Sequence, residues 1–348
     1  MGLKKLYIEL TEKCNLSCAI CYRKSWKHAQ KEMDKETYEN LLKSIKGCEE
    51  LERVVLGGIG EPLMSPLILD AIEKLGGYHL TVTTNGTMIR GDILQKLVQH
   101  CDALVVSIDG LEENFMKIRN EKLKVVLDNI EMLNEEKSRQ KSETPRLWIE
   151  FVLWEENIQD VFPIIDLAQK YKAKGVIFSN LLPQTPENAK KILYSRYENL
   201  KMKELFKSLR NYSLKKGVEL QLPECELKTE RRCAFVENNS AVVTADGSVT
   251  SCYRFAHNCL EYVFQREKEV VRHVFANINI NEKSLKEIWD MPEYRAFREA
   301  VLNTRFPSCT DCDLAEGCDL VRDTTSDCYG FSPSCGDCLW WRKIILCP

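Results

Sequence analysis

The chain has 348 residues, about two domains' worth, with the 44% hydrophobic and 29% charged content of a soluble globular protein. Forty-nine Lys and Arg against 52 Asp and Glu leave a net charge of −3. There is therefore no basic excess to neutralise nucleic-acid phosphates, and no apolar run reaches the ~20 residues a membrane helix needs.

In chain order, strand patterns fall at Leu6–Leu10, Val54–Leu56, Leu80–Thr84, Leu104–Ile108, Leu147–Leu153 and Val176–Phe178. Most are short apolar runs, the signature of strands buried on both faces. Amphipathic stretches alternate with them at Asp34–Ile45, Pro66–Leu75, Gly91–Gln99, Val125–Glu136 and Ile158–Lys170. Repeated strand–helix units predict an α/β fold with a parallel sheet or open barrel over residues 1–185. Residues 186–224 read as a polar helical connector, and 225–348 as a loop-rich region. That region holds one hairpin pattern, Ser240–Thr244 and Ser248–Ser251 about an Asp246-Gly247 turn, and one helix pattern, Ser284–Leu302.

Sixteen cysteines are the anomaly: five lie in residues 1–224 and eleven in 225–348. Met1–Lys5 runs directly into a strand pattern with no apolar export segment, and Leu6 stands where a myristoylation signal needs Ser or Thr. The chain thus reads as cytoplasmic, where disulfides are rare and clustered cysteines bind metal. Cys48 and Cys101, each alone in a helix-like stretch, read as core thiols. Cys14, Cys18 and Cys21 form C-x3-C-x2-C after the first strand. Three thiolates hold three irons of a [4Fe–4S] cluster and leave the fourth open, whereas an electron-carrying cluster takes four cysteines.

This spacing, followed by Tyr22, resembles the radical S-adenosylmethionine (radical SAM) superfamily. The resemblance extends to Gly57-Gly58-Ile59-Gly60-Glu61-Pro62 after the second strand, similar to the family's G-G-E-P segment despite an inserted Ile59-Gly60. It includes Thr84-Asn85-Gly86 after the third strand, Ser107-Ile108-Asp109-Gly110 after the fourth, and Arg119. Parallel strands put these motifs at one mouth. The resemblance implies a partial (β/α)6 barrel whose open iron holds SAM and yields a 5′-deoxyadenosyl radical on reduction. It also implies cofactor contacts from Tyr22, Gly58, Gly60, Glu61, Pro62, Asn85, Ser107, Asp109 and Arg119.

Cys233-x13-Gly247-x4-Cys252, followed by Cys309-x2-Cys312-x5-Cys318, resembles the SPASM extension of these enzymes, which binds two auxiliary [4Fe–4S] clusters. The resemblance assigns Cys225, Cys233, Cys252 and Cys328 to one cluster and Cys309, Cys312, Cys318 and Cys347 to the other. Cys335 and Cys338 stand as alternatives for the late ligands. Zinc is a competing reading, because Cys309-x2-Cys312 and Cys335-x2-Cys338 are 22 residues apart, just beyond a zinc-ribbon spacing. Tyr253 stands where sulfatase-maturing relatives carry Asp, which disfavours that activity.

The runs Cys21–Trp26 (CYRKSW), Cys252–His257 (CYRFAH) and Cys328–Pro348 resemble the maturases that accompany tungsten-dependent aldehyde:ferredoxin oxidoreductases. That resemblance implies a tungsten–pterin cofactor or its apo-protein as target; a crosslinking peptide maturase and a multi-cluster electron carrier are the alternatives. No flavin or nicotinamide motif is present, so a low-potential ferredoxin or flavodoxin is the expected electron donor.

Overall fold

All six expected strands form: β1 (Lys5–Ile8), β2 (Arg53–Leu56), β3 (His79–Thr84), β4 (Ala103–Ser107), β5 (Arg146–Leu153) and β6 (Gly175–Asn180). The computed structural model describes residues 2–347; Met1 and Pro348, the outermost residues of the expected end domains, lie outside them. The strands pair in parallel in chain order, with Leu6 opposite Val54 and Leu56 opposite Val82. Short apolar strands such as Val54–Leu56 are buried throughout because helices cover the sheet's outer face. Those helices are α1 (Lys35–Lys46), α2 (Ile68–Leu75), α3 (Gly91–His100), α4 (Glu112–Arg119), α5 (Leu123–Gln140) and α6 (Val161–Lys170). The start of α1 is fixed by Asp34, whose carboxylate accepts from the Thr37 amide at 2.7 Å.

Strand β5 shows how this sheet makes a site. Leu147, Ile149, Phe151 and Leu153 are fully buried, while Trp148, Glu150 and Val152 on the other face are only half-buried. The period of two turns one face to the helices and the other to the interior of an incompletely closed barrel.

Three strands extend the sheet beyond the expected six. After the helices α7 (Pro186–Ala189) and α8 (Leu200–Lys216), β7 (Glu219–Gln221) pairs in parallel with β6. Past helix α9 (Ala234–Glu237), β8 (Ser240–Val243) pairs in parallel with β1 on the opposite side. β9 (Val249–Thr250) turns back on β8 about Gly247, whose φ of +81° suits only glycine comfortably. The sheet order is therefore β7-β6-β5-β4-β3-β2-β1-β8-β9. The Cys-rich region thus shares the barrel's sheet, and one hydrophobic core joins Leu6 and Val54 to Trp289, Tyr294 and Trp341.

A second hairpin, β10 (Cys259–Val263) and β11 (Arg266–Val270), turns at Phe264 and Gln265, both with positive φ. The single helix expected over Ser284–Leu302 is two: α10 (Leu285–Trp289), capped by Ser284 and Glu287, and α11 (Pro292–Leu302). Pro292 has no amide hydrogen to continue the first helix and instead opens the second. From Asn303 to Cys347 only short 3₁₀ turns interrupt irregular chain. No helix among the described residues is long and apolar enough to cross a membrane.

Candidate active site

The chain after β1 carries Cys14, Cys18 and Cys21 to the C-terminal end of the sheet. There the three thiols line a cavity of about 210 Å³ with Gly58, Gly60, Glu61, Asn85, Ser107 and Arg119. Residues from the ends of four successive strands thus meet at one mouth, as parallel strands require.

Each contributor is held by specific bonds. The Glu61 carboxylate accepts from Thr84 Oγ1 at 2.7 Å, the Asn85 amide at 2.7 Å and the Leu63 amide at 3.1 Å, stapling the end of β2 to the end of β3. Burial pushes Glu61 up, and these three donors oppose it. Asn85 Nδ2 donates to Asn15 Oδ1 at 2.9 Å and to Cys14 Sγ at 3.8 Å, tying the same corner to the cysteine loop. Arg119 pairs with the fully buried Asp109 at 2.5 Å and donates to Cys18 Sγ at 3.8 Å. Despite its burial, Arg119 is held above its ordinary value by Asp109 and Cys18.

Gly58 has φ +113°, and a Cβ there would meet Glu9 Cγ at 2.6 Å. A Cβ on Gly60 would sit 2.2 Å from the Thr11 carbonyl oxygen and 2.7 Å from that of Lys13. Both obstacles are backbone, so Gly60→Ala is expected to cost about 1–3 kcal/mol and to weaken SAM binding at least about tenfold. Thermal unfolding and equilibrium binding of SAM check this.

Three expected contacts lie elsewhere. Tyr22 does not line the cavity; its hydroxyl meets Cys259 Sγ at 3.2 Å, because the 3₁₀ turn Tyr22–Ser25 packs on β10. Ile20 and Arg23, on either side of Tyr22, line the cavity instead. Asp109 acts from behind, on Arg119 and, through Oδ1, on the Val152 amide at 2.8 Å. Pro62 is buried at the start of a 3₁₀ turn.

Glu150 is the residue that sequence reasoning missed. It lines the cavity beside Arg119, and burial together with the Asp109 carboxylate pushes it up to about 7, against Arg119 and a hydrogen bond from Ser107. A carboxyl that titrates near neutrality can hold or release a proton inside the cavity. Because the folded chain binds this proton above the unfolded value, Glu150 lowers stability as pH rises from about 4.5 to about 7, and no further above that. Glu150→Gln is expected to gain stability over wild type across that window, read from unfolding midpoints of both proteins against pH.

The late cysteines are grouped differently from the sequence expectation. Cys233, Cys252, Cys335 and Cys338 line one buried hollow, walled by Phe255, Phe297 and Trp341. Cys225 and Cys328, expected there, do not line it. Cys225 is buried near α8, with Glu226 and Lys203 as charged neighbours, and its carbonyl accepts from Ser195. Cys328 instead neighbours Cys309. Cys347, expected with Cys309, faces the Cys233 and Cys252 side, where Trp340 Nε1 donates to its sulfur at 3.0 Å. Trp341 is buried and Trp340 half-buried in the turn of chain that joins Cys338 to Cys347, and both line the hollow. Cys101 is a core thiol that bonds the Ala103 carbonyl at 3.0 Å and is pushed up to about 12, whereas Cys48 is only half-buried, with its thiol donating to the Ser44 carbonyl at 3.6 Å.

The donor sets fit iron–sulfur clusters. Burial pushes Cys14, Cys18, Cys233 and Cys338 up, and Cys252 up to about 11, so these thiols are inert unless a metal takes the charge of their thiolates. Among the buried nitrogens without a hydrogen-bond partner in the described residues are Arg23 Nε and Arg119 Nε in the first cavity's wall and Arg254 Nη1 and Trp341 Nε1 in the hollow's wall. Such orphaned donors fit an anionic occupant in each place.

Sequence profiles agree with this geometry. The Radical SAM superfamily profile matches residues 8–168, and the SPASM profile, an iron–sulfur cluster-binding domain, matches 233–313. A Pyrococcus furiosus protein named as a tungsten-containing aldehyde ferredoxin oxidoreductase cofactor-modifying protein is 36% identical over 99% of this chain and 97% of its own. The chain belongs to the radical SAM superfamily, with a SPASM domain. The fold agrees with that of Streptococcus suis SuiB. The structure bound to S-adenosylmethionine has a TM-score of 0.63, 17% identity, and covers 91% of this chain and 72% of SuiB. The structure bound to precursor peptide SuiA has a TM-score of 0.61, 15% identity, and covers 92% and 72%. The radical SAM enzyme's cofactors are accordingly a [4Fe–4S] cluster with SAM, and auxiliary iron–sulfur clusters in the SPASM domain.

Proposed function

We propose that this radical SAM enzyme modifies the tungsten–pterin cofactor of a tungsten-dependent oxidoreductase, or the apo-protein that receives it. The carrying observation is the end-to-end match to the Pyrococcus furiosus cofactor-modifying protein, at 36% identity and with nearly full coverage of both chains. When bound, the site cluster and SAM supply a 5′-deoxyadenosyl radical that removes a substrate hydrogen atom.

The chain's own residues bind, orient and exclude water. Cys14, Cys18 and Cys21 would hold the cluster, leaving one iron to SAM. Gly58 and Gly60 let backbone approach where a side chain would block it, and Arg119, fixed by Asp109, offers its free Nε to a carboxylate. Glu150 holds or moves a proton on the opposite strand. Cys233, Cys252, Cys335 and Cys338 would hold an auxiliary cluster, and Cys309 with Cys328 would belong to a second, completed by Cys312 and Cys318. A low-potential ferredoxin or flavodoxin delivers the electron.

The test supplies the reconstituted, reduced enzyme with SAM and either a tungsten oxidoreductase apo-protein with its pterin cofactor or a short precursor peptide. The expected result is 5′-deoxyadenosine above the substrate-free background and a mass change on the pterin or apo-protein. Turnover only with a peptide, giving a crosslinked product, would replace this reading by the peptide-maturase one.

A further inference from the structure

Four side chains outside the cysteine sites converge beside β1. Glu9 and Glu12 follow β1, His28 lies beyond the 3₁₀ turn that follows Cys21, and His257 closes the CYRFAH run of the SPASM domain. One ligand atom each from Glu12, His28 and His257 can be chosen so that all lie within 4.8 Å of one another. His28 Nε2 is 3.2 Å from Glu12 Oε2, and His257 Nδ1 is 3.7 Å from Glu12 Oε1. Each imidazole thus stands near one oxygen of the Glu12 carboxylate at a distance close to the about 3.3 Å between donors around a tetrahedral metal with bonds of ~2.0–2.1 Å, and Glu12 Oε2 also accepts from the Lys31 amide at 3.0 Å.

The other nitrogen of His257 is arranged as metal-bound histidines require. His257 Nε2 is 2.9 Å from Glu9 Oε2, and both side chains are almost wholly buried. A carboxylate that accepts a hydrogen bond from Nε2–H leaves the Nδ1 lone pair on the side of Glu12, the carboxylate–histidine–metal relay of structurally supported metal sites. Trp26 packs on both imidazoles, with ring centroids 4.7 Å from His28 and 4.3 Å from His257.

We propose that Glu12, His28 and His257 form a binding site for a first-row divalent metal of the zinc or ferrous type, with Glu9 orienting His257. Two imidazoles and one carboxylate select such metals over magnesium or calcium. Three protein ligands leave a coordination position open, and partly exposed His28 also borders a surface cavity of about 240 Å³ with Ser25, Lys27, Asn258 and Glu269. The site is wired to the SAM cavity, because the other oxygen of Glu9 accepts from the Ile59 amide at 2.9 Å, between Gly58 and Gly60. It stands independently of the proposed tungsten–pterin substrate.

The test adds zinc to the cluster-reconstituted full chain, removes loose metal by desalting, counts retained zinc and records its X-ray absorption edge. Wild type is expected to retain about one zinc more than His28→Gln and His257→Gln, with nitrogen and oxygen neighbours at ~2.0–2.1 Å. His28 is partly exposed, so its variant reports on the site even if the buried His257 variant folds poorly. Equal zinc in wild type and His28→Gln, or a shell of sulfur at ~2.3 Å, would overturn the site and leave the two histidines as hydrogen-bond partners of the carboxylates.

Discussion

Replacing Cys14, Cys18 and Cys21 together by alanine is expected to remove about four irons per chain and to abolish 5′-deoxyadenosine formation. The three thiols are the cavity's only cysteines among the described residues, so no neighbouring sulfur can substitute. The fold itself should survive. The loop is anchored by Asn85 to Asn15, by Arg23 to the Leu16 carbonyl at 2.9 Å, and by the Ala19 amide to the Ile118 carbonyl at 2.7 Å, none of which needs iron. Iron and labile-sulfide analysis with circular dichroism checks both halves. Full iron with no loss of SAM cleavage in the triple variant would refute the assignment.

The second large effect concerns the auxiliary cysteines. A Cys233→Ala/Cys338→Ala double variant is expected to lose about four irons, whereas Cys225→Ala keeps the wild-type complement. Two ligands are removed at once because Cys347 lies close enough to replace one. Loss of that cluster should also loosen residues 303–347, which contain no α-helix or β-strand and pack through Phe306, Phe331 and Trp341 and through Leu339, Ile344 and Ile345. Hydrogen exchange there should rise while β1–β6 remain protected. Four irons lost from Cys225→Ala instead would restore the ligand set that the SPASM resemblance implies.

The contrast shows what a single sequence carries. The six strands were legible because buried parallel strands are short apolar runs, and each of the first four ends in a Gly or polar motif that could only converge on one mouth. Strand β7 was not, since Glu219-Leu220-Gln221 is three residues long, largely polar, and a strand only by pairing with β6. The β10–β11 hairpin was hidden because Phe264-Gln265 replaces the Asn-Gly or Asp-Gly that marks such a turn. Glu150 left a usable signal: alternation in RLWIEFVL puts it on the face opposite Leu147, Ile149 and Phe151, hence toward the interior. The partners of the late cysteines left none. Spacing says that thiols bind metal, but which of them meet is settled by tertiary packing. Glu9, Glu12, His28 and His257 likewise come together from segments up to 248 residues apart.

Radical chemistry in this chain needs an open-iron site that cleaves SAM. Wild-type chain, reconstituted anaerobically, reduced with dithionite and given SAM, should form 5′-deoxyadenosine, while the Cys14/Cys18/Cys21→Ala chain beside it forms none. A fully iron-loaded wild type that makes no 5′-deoxyadenosine would contradict the radical reading and leave a multi-cluster electron carrier in its place.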